Sequence, residues 1–258
     1  LVNISETSLL PSKGILYDGK VGPEVTLRAM STFEEKMRFA GGVFVKTMGQ
    51  IIKNCSVEPE NLDYRDLLLA DYQFILFQLR VITYGTVMAH ELECPHCLNT
   101  FKHMQDLDKV PLSYLDEKEI VKKDKDGKAL PLEPISIKLK RSGDTLGCRL
   151  LRAGDLEYID ARSREILRRF KEYVGSPEYI VALARQIVTV NGQELSDDKK
   201  EEYVNKMHAY DANYIQHILS KYSFGLDLEF MAICPKCSGE VEYGVPMDNT
   251  FFRPHFDD

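Results

Sequence analysis

The clearest chemistry in this chain lies in two Cys-Pro-x-Cys pairs, Cys94-Pro95-His96-Cys97 and Cys234-Pro235-Lys236-Cys237. Thiolates hold zinc tetrahedrally. A two-residue gap lets both sulfurs of a pair reach one ion while amides of the turn donate to them. Proline after the first cysteine stiffens each turn. Strand-like stretches precede and follow each pair, so the two read as halves of one closed structural zinc site. Its ligands are Cys94, Cys97, Cys234 and Cys237, with one Zn2+ per chain. Linear zinc motifs separate their pairs by only about fifteen to twenty residues. The much longer separation here makes everything between the pairs an insertion in a zinc ribbon. Four thiolates leave no open coordination position, which excludes a catalytic metal.

Redox chemistry is the rival reading, because Cys-Pro-His-Cys also occurs as an active-site sequence in disulfide oxidoreductases. There the first cysteine sits at a helix N-terminus, which lowers its pKa. Leu98-Asn99-Thr100-Phe101 is a poor helix start, and a second pair has no use in that chemistry. The redox reading predicts a reducible Cys94–Cys97 disulfide and no metal. His96 and His103 are read as exposed knuckle and strand residues rather than substitute ligands. Cys55 and Cys148 stand outside both pairs and read as small buried apolar residues, Cys148 within a strand. The basic run Arg162, Arg164, Arg168, Arg169 and Lys171 is interleaved with Asp160, Glu165 and Glu172, and reads as a solvated helix face. No paired acid/base spacing, phosphate-cradling glycine loop or nucleophile motif occurs, so no enzyme is expected.

The elements that must position the cysteines follow from period and punctuation. Residues 1–30, with Pro11, Gly14, Gly19, Gly22 and Pro23, suit an extended arm or small hairpin. Ser31 and Glu34 form a capping box for a helix that Gly41-Gly42 interrupts. Asp63 caps a second helical stretch with Leu67, Phe74, Phe77 and Val81, apolar on both faces and therefore buried. From Thr86 the period becomes two, with Met88, His90 and Leu92 on one side, leading into the first knuckle. Strands are expected at residues 119–121, 135–139 and 146–151, with Asp126-Gly127 as a hairpin turn. Helices are expected at 155–173, 177–187, 196–207 and 211–222. An alternating strand at 226–230 leads into the second knuckle, and another follows at 240–245. The class is thus α+β: a zinc-ribbon knuckle pair joined to helices, with a small antiparallel sheet and helical insertion between the knuckles. The expected organisation is an extended N-terminal arm (1–30), a helical and zinc-ribbon body (31–104 and 226–246), an inserted region (105–225) and a C-terminal tail (247–258).

Composition narrows the function classes. Among 258 residues, 44% are hydrophobic and 28% charged, which is ordinary globular composition. Thirty-three basic against forty acidic residues give a net charge of -7, which disfavours a nucleic-acid partner. A zinc-ribbon nucleic-acid binder is therefore the weaker alternative. Leu1 to Glu6 lacks a basic and apolar signal-peptide pattern, and the missing initiator Met suggests a trimmed start. The apolar stretch from Leu67 to Val87 is interrupted by Asp71, Gln73, Gln78 and Arg80, which argues against a spanning helix. A soluble intracellular product is expected.

Several motifs together have a family resemblance. Leu10-Pro11-Ser12-Lys13-Gly14 is followed by Tyr17, and Val25-Thr26-Leu27-Arg28-Ala29-Met30-Ser31 precedes a Glu-Glu-Lys helix. Asp66-Leu67-Leu68-Leu69-Ala70-Asp71, Leu79-Arg80 and Tyr84-Gly85 come ahead of Cys94 and Cys97. Cys234, Cys237 and a terminal Phe251-Phe252-Arg253-Pro254 complete the order. This pattern resembles the baseplate protein family of T-even-type contractile-tailed bacteriophages, best over residues 9–101 and 226–254. Residues 105–225 show little of it and are expected to belong to a narrower phage group. The resemblance implies a non-enzymatic structural component of a tail baseplate or hub, acting through contacts during assembly. The extended N-terminal arm and the aromatic C-terminal tail are expected to add contacts to adjacent subunits. The alternative is a tail assembly factor that is not retained in the virion. Implied partners are other phage tail and baseplate proteins and further copies of the chain, with no nucleic acid, membrane or small-molecule substrate. The implied location is the virion tail baseplate, and the host cytoplasm during assembly.

Overall fold

Glycine and proline split the first third of the chain into short elements that contribute to one core. The computed structural model describes residues 4–17, 19–116, 133–170, 172 and 174–254. Strands β1 (Ser5–Leu9) and β2 (Glu24–Arg28) pair antiparallel, so the small hairpin forms rather than an extended arm, with a long connection from Leu10 to Pro23. Leu10, Tyr17, Val21, Val25 and Leu27 are buried in the main core, which is why this segment folds back instead of projecting. Ser31 and Glu34 make the expected capping box at the start of α1 (Thr32–Arg38). After the Gly41-Gly42 break, α2 (Phe44–Cys55) runs into β3 (Ser56–Glu58), which adds to β2.

Helix α3 (Leu69–Tyr84) begins later than Asp63 predicts. The Asp63 carboxylate caps only a short 3-10 turn, Tyr64–Asp66. Leu67 and Leu68 stay extended because their backbone is used elsewhere. The Leu68 N–H donates to the Tyr17 hydroxyl at 2.8 Å, and Leu68 bridges Arg152. With apolar residues all round, α3 is buried on both faces, including Phe74, Ile75, Leu76, Phe77 and Leu79.

Two β-hairpins follow the same plan at distant points of the chain. β4 (Val87–Glu93) pairs with β5 (Thr100–Asp106), and the later pair, numbered below, closes the second knuckle. Between them, β6 (Leu112–Ser113), β7 (Ile135–Lys138) and β8 (Thr145–Cys148) lead to helices α4 (Ala153–Arg169) and α5 (Pro177–Gln186). Next come β9 (Ile187–Val190), β10 (Gln193–Glu194), α6 (Asp197–Lys206) and α7 (Ala209–Ser220). The strands order as β10-β9-β8-β7, all antiparallel, and cover a second core of Ile137, Leu146, Leu183, Ile187 and Ile215. The sequence reading carries helix to Ile187, whereas Ile187 to Val190 is a strand. Its β-branched run, followed by an Asn191-Gly192 turn, wins over the helical pattern. The expected strand at 119–121 and the Asp126-Gly127 turn lie outside the described residues.

The expected strand at 226–230 divides into β11 (Gly225–Leu226), paired with β6, and β12 (Glu229–Ile233), paired with β13 (Glu240–Gly244). Beyond them the chain returns to the main core. Phe251 and Phe252 are both fully buried, with Phe251 stacked on Phe77 at 6.1 Å between ring centroids. The aromatic tail expected to add contacts to adjacent subunits is therefore corrected: Phe251 and Phe252 complete the protein's own core. The architecture is α+β, with seven helices and small antiparallel sheets among the described residues. No helix among them is long and apolar enough to cross a membrane.

Candidate metal centre

Each hairpin ends in a turn whose backbone repeats that of the other. The Cys94 N–H donates to the Asn99 carbonyl at 3.0 Å, and the Leu98 N–H to the Cys94 carbonyl at 2.9 Å. Cys234 with Gly239 and Ser238 with Cys234 repeat those bonds, both at 2.9 Å. Leu98 (φ 55°) and Ser238 (φ 58°) occupy the left-handed region at the same point of each turn. A non-glycine residue there costs about 1–2 kcal/mol. The knuckle hydrogen bonds offset that cost and leave amides aimed at sulfur.

The two turns bring all four thiols together, with every pair of Sγ atoms within 4.8 Å. Cys94 Sγ lies 3.6 Å from Cys237 Sγ, and Cys97 Sγ lies 3.7 Å from Cys234 Sγ. Four thiolates about 2.3 Å from a shared ion would stand about 3.8 Å apart along each tetrahedral edge. All four thiols are free, and none is within disulfide distance of another. Cys94 and Cys234 are fully buried, and Leu92, Phe101 and Val241 pack around them. Such a donor set can hold a metal ion.

The sulfur environments are unequal. Burial works against ionising Cys234, but the backbone N–H groups of Cys237 and Lys236 and the nearby Cys97 and Cys237 thiols favour its thiolate, and its pKa falls to about 6. At Cys237 the Gly239 N–H favours the thiolate, yet the clustered Cys97, Cys94 and Cys234 sulfurs outweigh it and push the thiol up to about 12. One negative charge is thus readily formed in the cluster and the next is resisted, the condition that a cation relieves.

Neither histidine joins the cluster. The His96 ring lies where a side chain on residue 239 would stand, with its Cδ2 only 2.6 Å from a Cβ built there, which accounts for Gly239. His103 faces His90 across β4 and β5 and packs edge-on to Tyr243 at 5.5 Å. Tyr243 also lies 5.3 Å from the His90 ring and donates its hydroxyl to Gln105 Oε1 at 2.7 Å. This ring group keys one hairpin to the other beneath the cysteines, and the motif reading missed it. The alternation of Met88, His90 and Leu92 marks the inward face of β4, whereas nothing in the sequence singles out Tyr243 as their partner.

Cys55 and Cys148 are buried away from the cluster, and burial pushes both thiols up to about 12. The basic run on α4 is largely satisfied at one end. Arg162 pairs with Glu165, Asp198 and Glu201, and Arg164 with Asp160.

A family model described as the T4 bacteriophage base plate protein matches residues 3–253, nearly the whole chain. The chain belongs to that family. The match runs through residues 105–225, where the motifs alone show little resemblance, so the base plate family extends across the segment between the knuckles. No curated protein and no solved structure matches the chain. Membership supports a structural baseplate component that interacts with other baseplate proteins and is located in the phage tail.

Proposed function

We propose that this protein is a non-enzymatic structural component of a contractile phage tail baseplate, held by a four-cysteine zinc site and acting through protein–protein contacts during assembly. The observation that carries the reading is the family match over residues 3–253 together with four thiols gathered from two matching turns. Cys94, Cys97, Cys234 and Cys237 would be the ligands. Zinc suits them because it accepts four thiolates tetrahedrally and needs no redox partner. With four protein ligands the ion has no position for substrate, so its contribution is mechanical: it fastens residues 94–97 to residues 234–237. The exposed surfaces of the body then meet neighbouring subunits.

Two measurements test this. Metal analysis of the purified chain should find about one zinc per chain. Mass spectrometry of purified virions should find the chain in tail baseplates. Presence in assembly intermediates but absence from virions would make it an assembly factor instead.

A further inference from the structure

Two exposed patches of opposite charge lie on the described surface of the folded chain. The outer face of the β12–β13 hairpin carries Met231 and Ile233, which are 56% and 58% exposed. Register places Glu242 directly across from Met231 and Glu240 across from Ile233, and Glu229 lies on the same face two residues before Met231. None of the three glutamates forms an ion pair among the described residues. An apolar strip bordered by carboxylates that have no ion pair among the described residues is an incomplete surface.

The last two turns of α4 offer the reverse. Leu167 and Arg168 lie on the outward face that begins at Arg164, whose guanidinium pairs with Asp160 one turn back, and Phe170 follows. Leu167 and Phe170 are 45% and 52% exposed. Arg168 and Arg169 have no ion pair among the described residues, and Arg169 lies over the Phe170 ring at 5.5 Å. In a chain of net charge -7, an arginine cluster framing apolar side chains fits an acidic, apolar surface. The chain itself carries one.

We infer that the α4 end of one copy docks on the outer face of the β12–β13 hairpin of the next, giving head-to-tail self-association. Leu167 and Phe170 meet Met231 and Ile233, while Arg168 and Arg169 face Glu240, Glu242 and Glu229. The contact joins two different patches, so it is heterologous and propagates into a ring or a filament instead of stopping at a two-fold dimer. A hairpin face against two helical turns is a small interface, so the association is weak and sensitive to salt. The inference rests on the reading of the chain as an assembly protein that works by surface contact. Its test uses purified chain alone and can fail while virion mass spectrometry still places the protein in the baseplate.

The test is sedimentation velocity of the full zinc-loaded chain over a concentration series. Association beyond dimer is expected at about 50 mM salt, weakened about tenfold or more at about 500 mM. Two charge-reversed variants, E240R/E242R and R168E/R169E, should each be monomeric. Mixed in equal amounts they should associate again, which a misfolded variant could not do. A wild-type chain that stays monomeric at every concentration overturns the inference and leaves the two patches to other partners. Variants that associate like wild type, or a mixture that stays monomeric, overturn it equally.

Discussion

The proposed metal tie has a calculable weight. An ion shared by Cys97 and Cys234 closes a loop between residues 137 apart in sequence, the role a disulfide of that span would have. For an ion that both pairs retain as the chain unfolds, constraining a loop of 137 residues removes chain entropy worth about 5 kcal/mol at 25 °C. For a chain of this size each kcal/mol moves the melting temperature by about 2–4 °C, so zinc removal should lower it by about 10–20 °C. The perturbation is Cys234→Ser, alongside chelation of wild type, with metal content and thermal melting followed together. Both should yield a protein free of zinc and similarly destabilised. Hydrogen exchange should place the loosening first at Cys94, Leu98, Cys234 and Ser238, whose amides close the two turns. A zinc-free protein melting within about 2 °C of the loaded one would refute the clasp. A Cys94–Cys97 disulfide in place of metal would restore the redox reading.

Phe251→Ala should destabilise the protein by about 3–5 kcal/mol in denaturant titration, because it empties a fully buried site against Phe77. A loss below about 1 kcal/mol would return the C-terminal aromatics to the surface. His90 is held neutral by burial and by its neighbour His103, so its folded-state pKa is lowered and the unfolded chain takes up the proton first. Stability should therefore fall as pH drops below about 6.5, the unfolded value, toward the lower folded one. His90→Phe should show a shallower decline over that window at saturating zinc, and an unchanged slope would remove His90 from the account. Thiol titration of the native zinc-loaded protein should find Cys55 and Cys148 unreactive, since burial raises both thiols to about 12. Chelation should add the four cluster thiols to the count, with Cys234 reacting ahead of Cys237, and a count of six would mean that the cores open with the clasp.

The candidate site was legible because its signal is local. Cys-Pro-x-Cys fixes a turn within a few residues, and two copies of it point to four thiols that could hold one ion whatever lies between them. The capping box at Ser31 and Glu34 and the Gly41-Gly42 break are local in the same way, and both stand where the pattern places them. What was not legible depends on partners far along the chain. Asp63 has the side chain of a helix cap, but Tyr17 and Arg152 hold Leu68 extended and delay α3. Phe251 and Phe252 look like a docking tail until Phe77, far earlier in sequence, is found beneath them. Ile187 to Val190 is the instructive miss, since the β-branched run and the Asn191-Gly192 turn were both visible. A helical period that fits an apolar stretch can mask a strand that continues it.

Helix α3 explains why ties between distant segments recur in this protein. Its apolar surface needs cover on every side, and no neighbouring stretch of sequence supplies enough. The N-terminal segment covers one part, fastened where the Ser12 N–H donates to Asp71 Oδ1 at 2.9 Å and the Tyr17 hydroxyl to Asp71 Oδ2 at 2.6 Å. The C-terminal phenylalanines cover another over Phe77, and Gly225 approaches Ala70 so closely that a Cβ there would stand 3.0 Å from the alanine Cβ. At its far end Arg80 is fully buried and donates to the Gly85 carbonyl and, at 2.8 Å, to that of Val87, fixing where β4 leaves the helix. The first knuckle is thus anchored to α3 through β4. The second arrives from the chain that has just passed Ala70. A long segment between the pairs is tolerated because its two ends are pinned together beside the same helix by the β6–β11 pairing, and its middle by the bridge from Leu68 to Arg152. The four sulfurs therefore meet over a frame that is already closed below them, which is the condition under which a single ion can clamp two hairpins without having to order the whole chain.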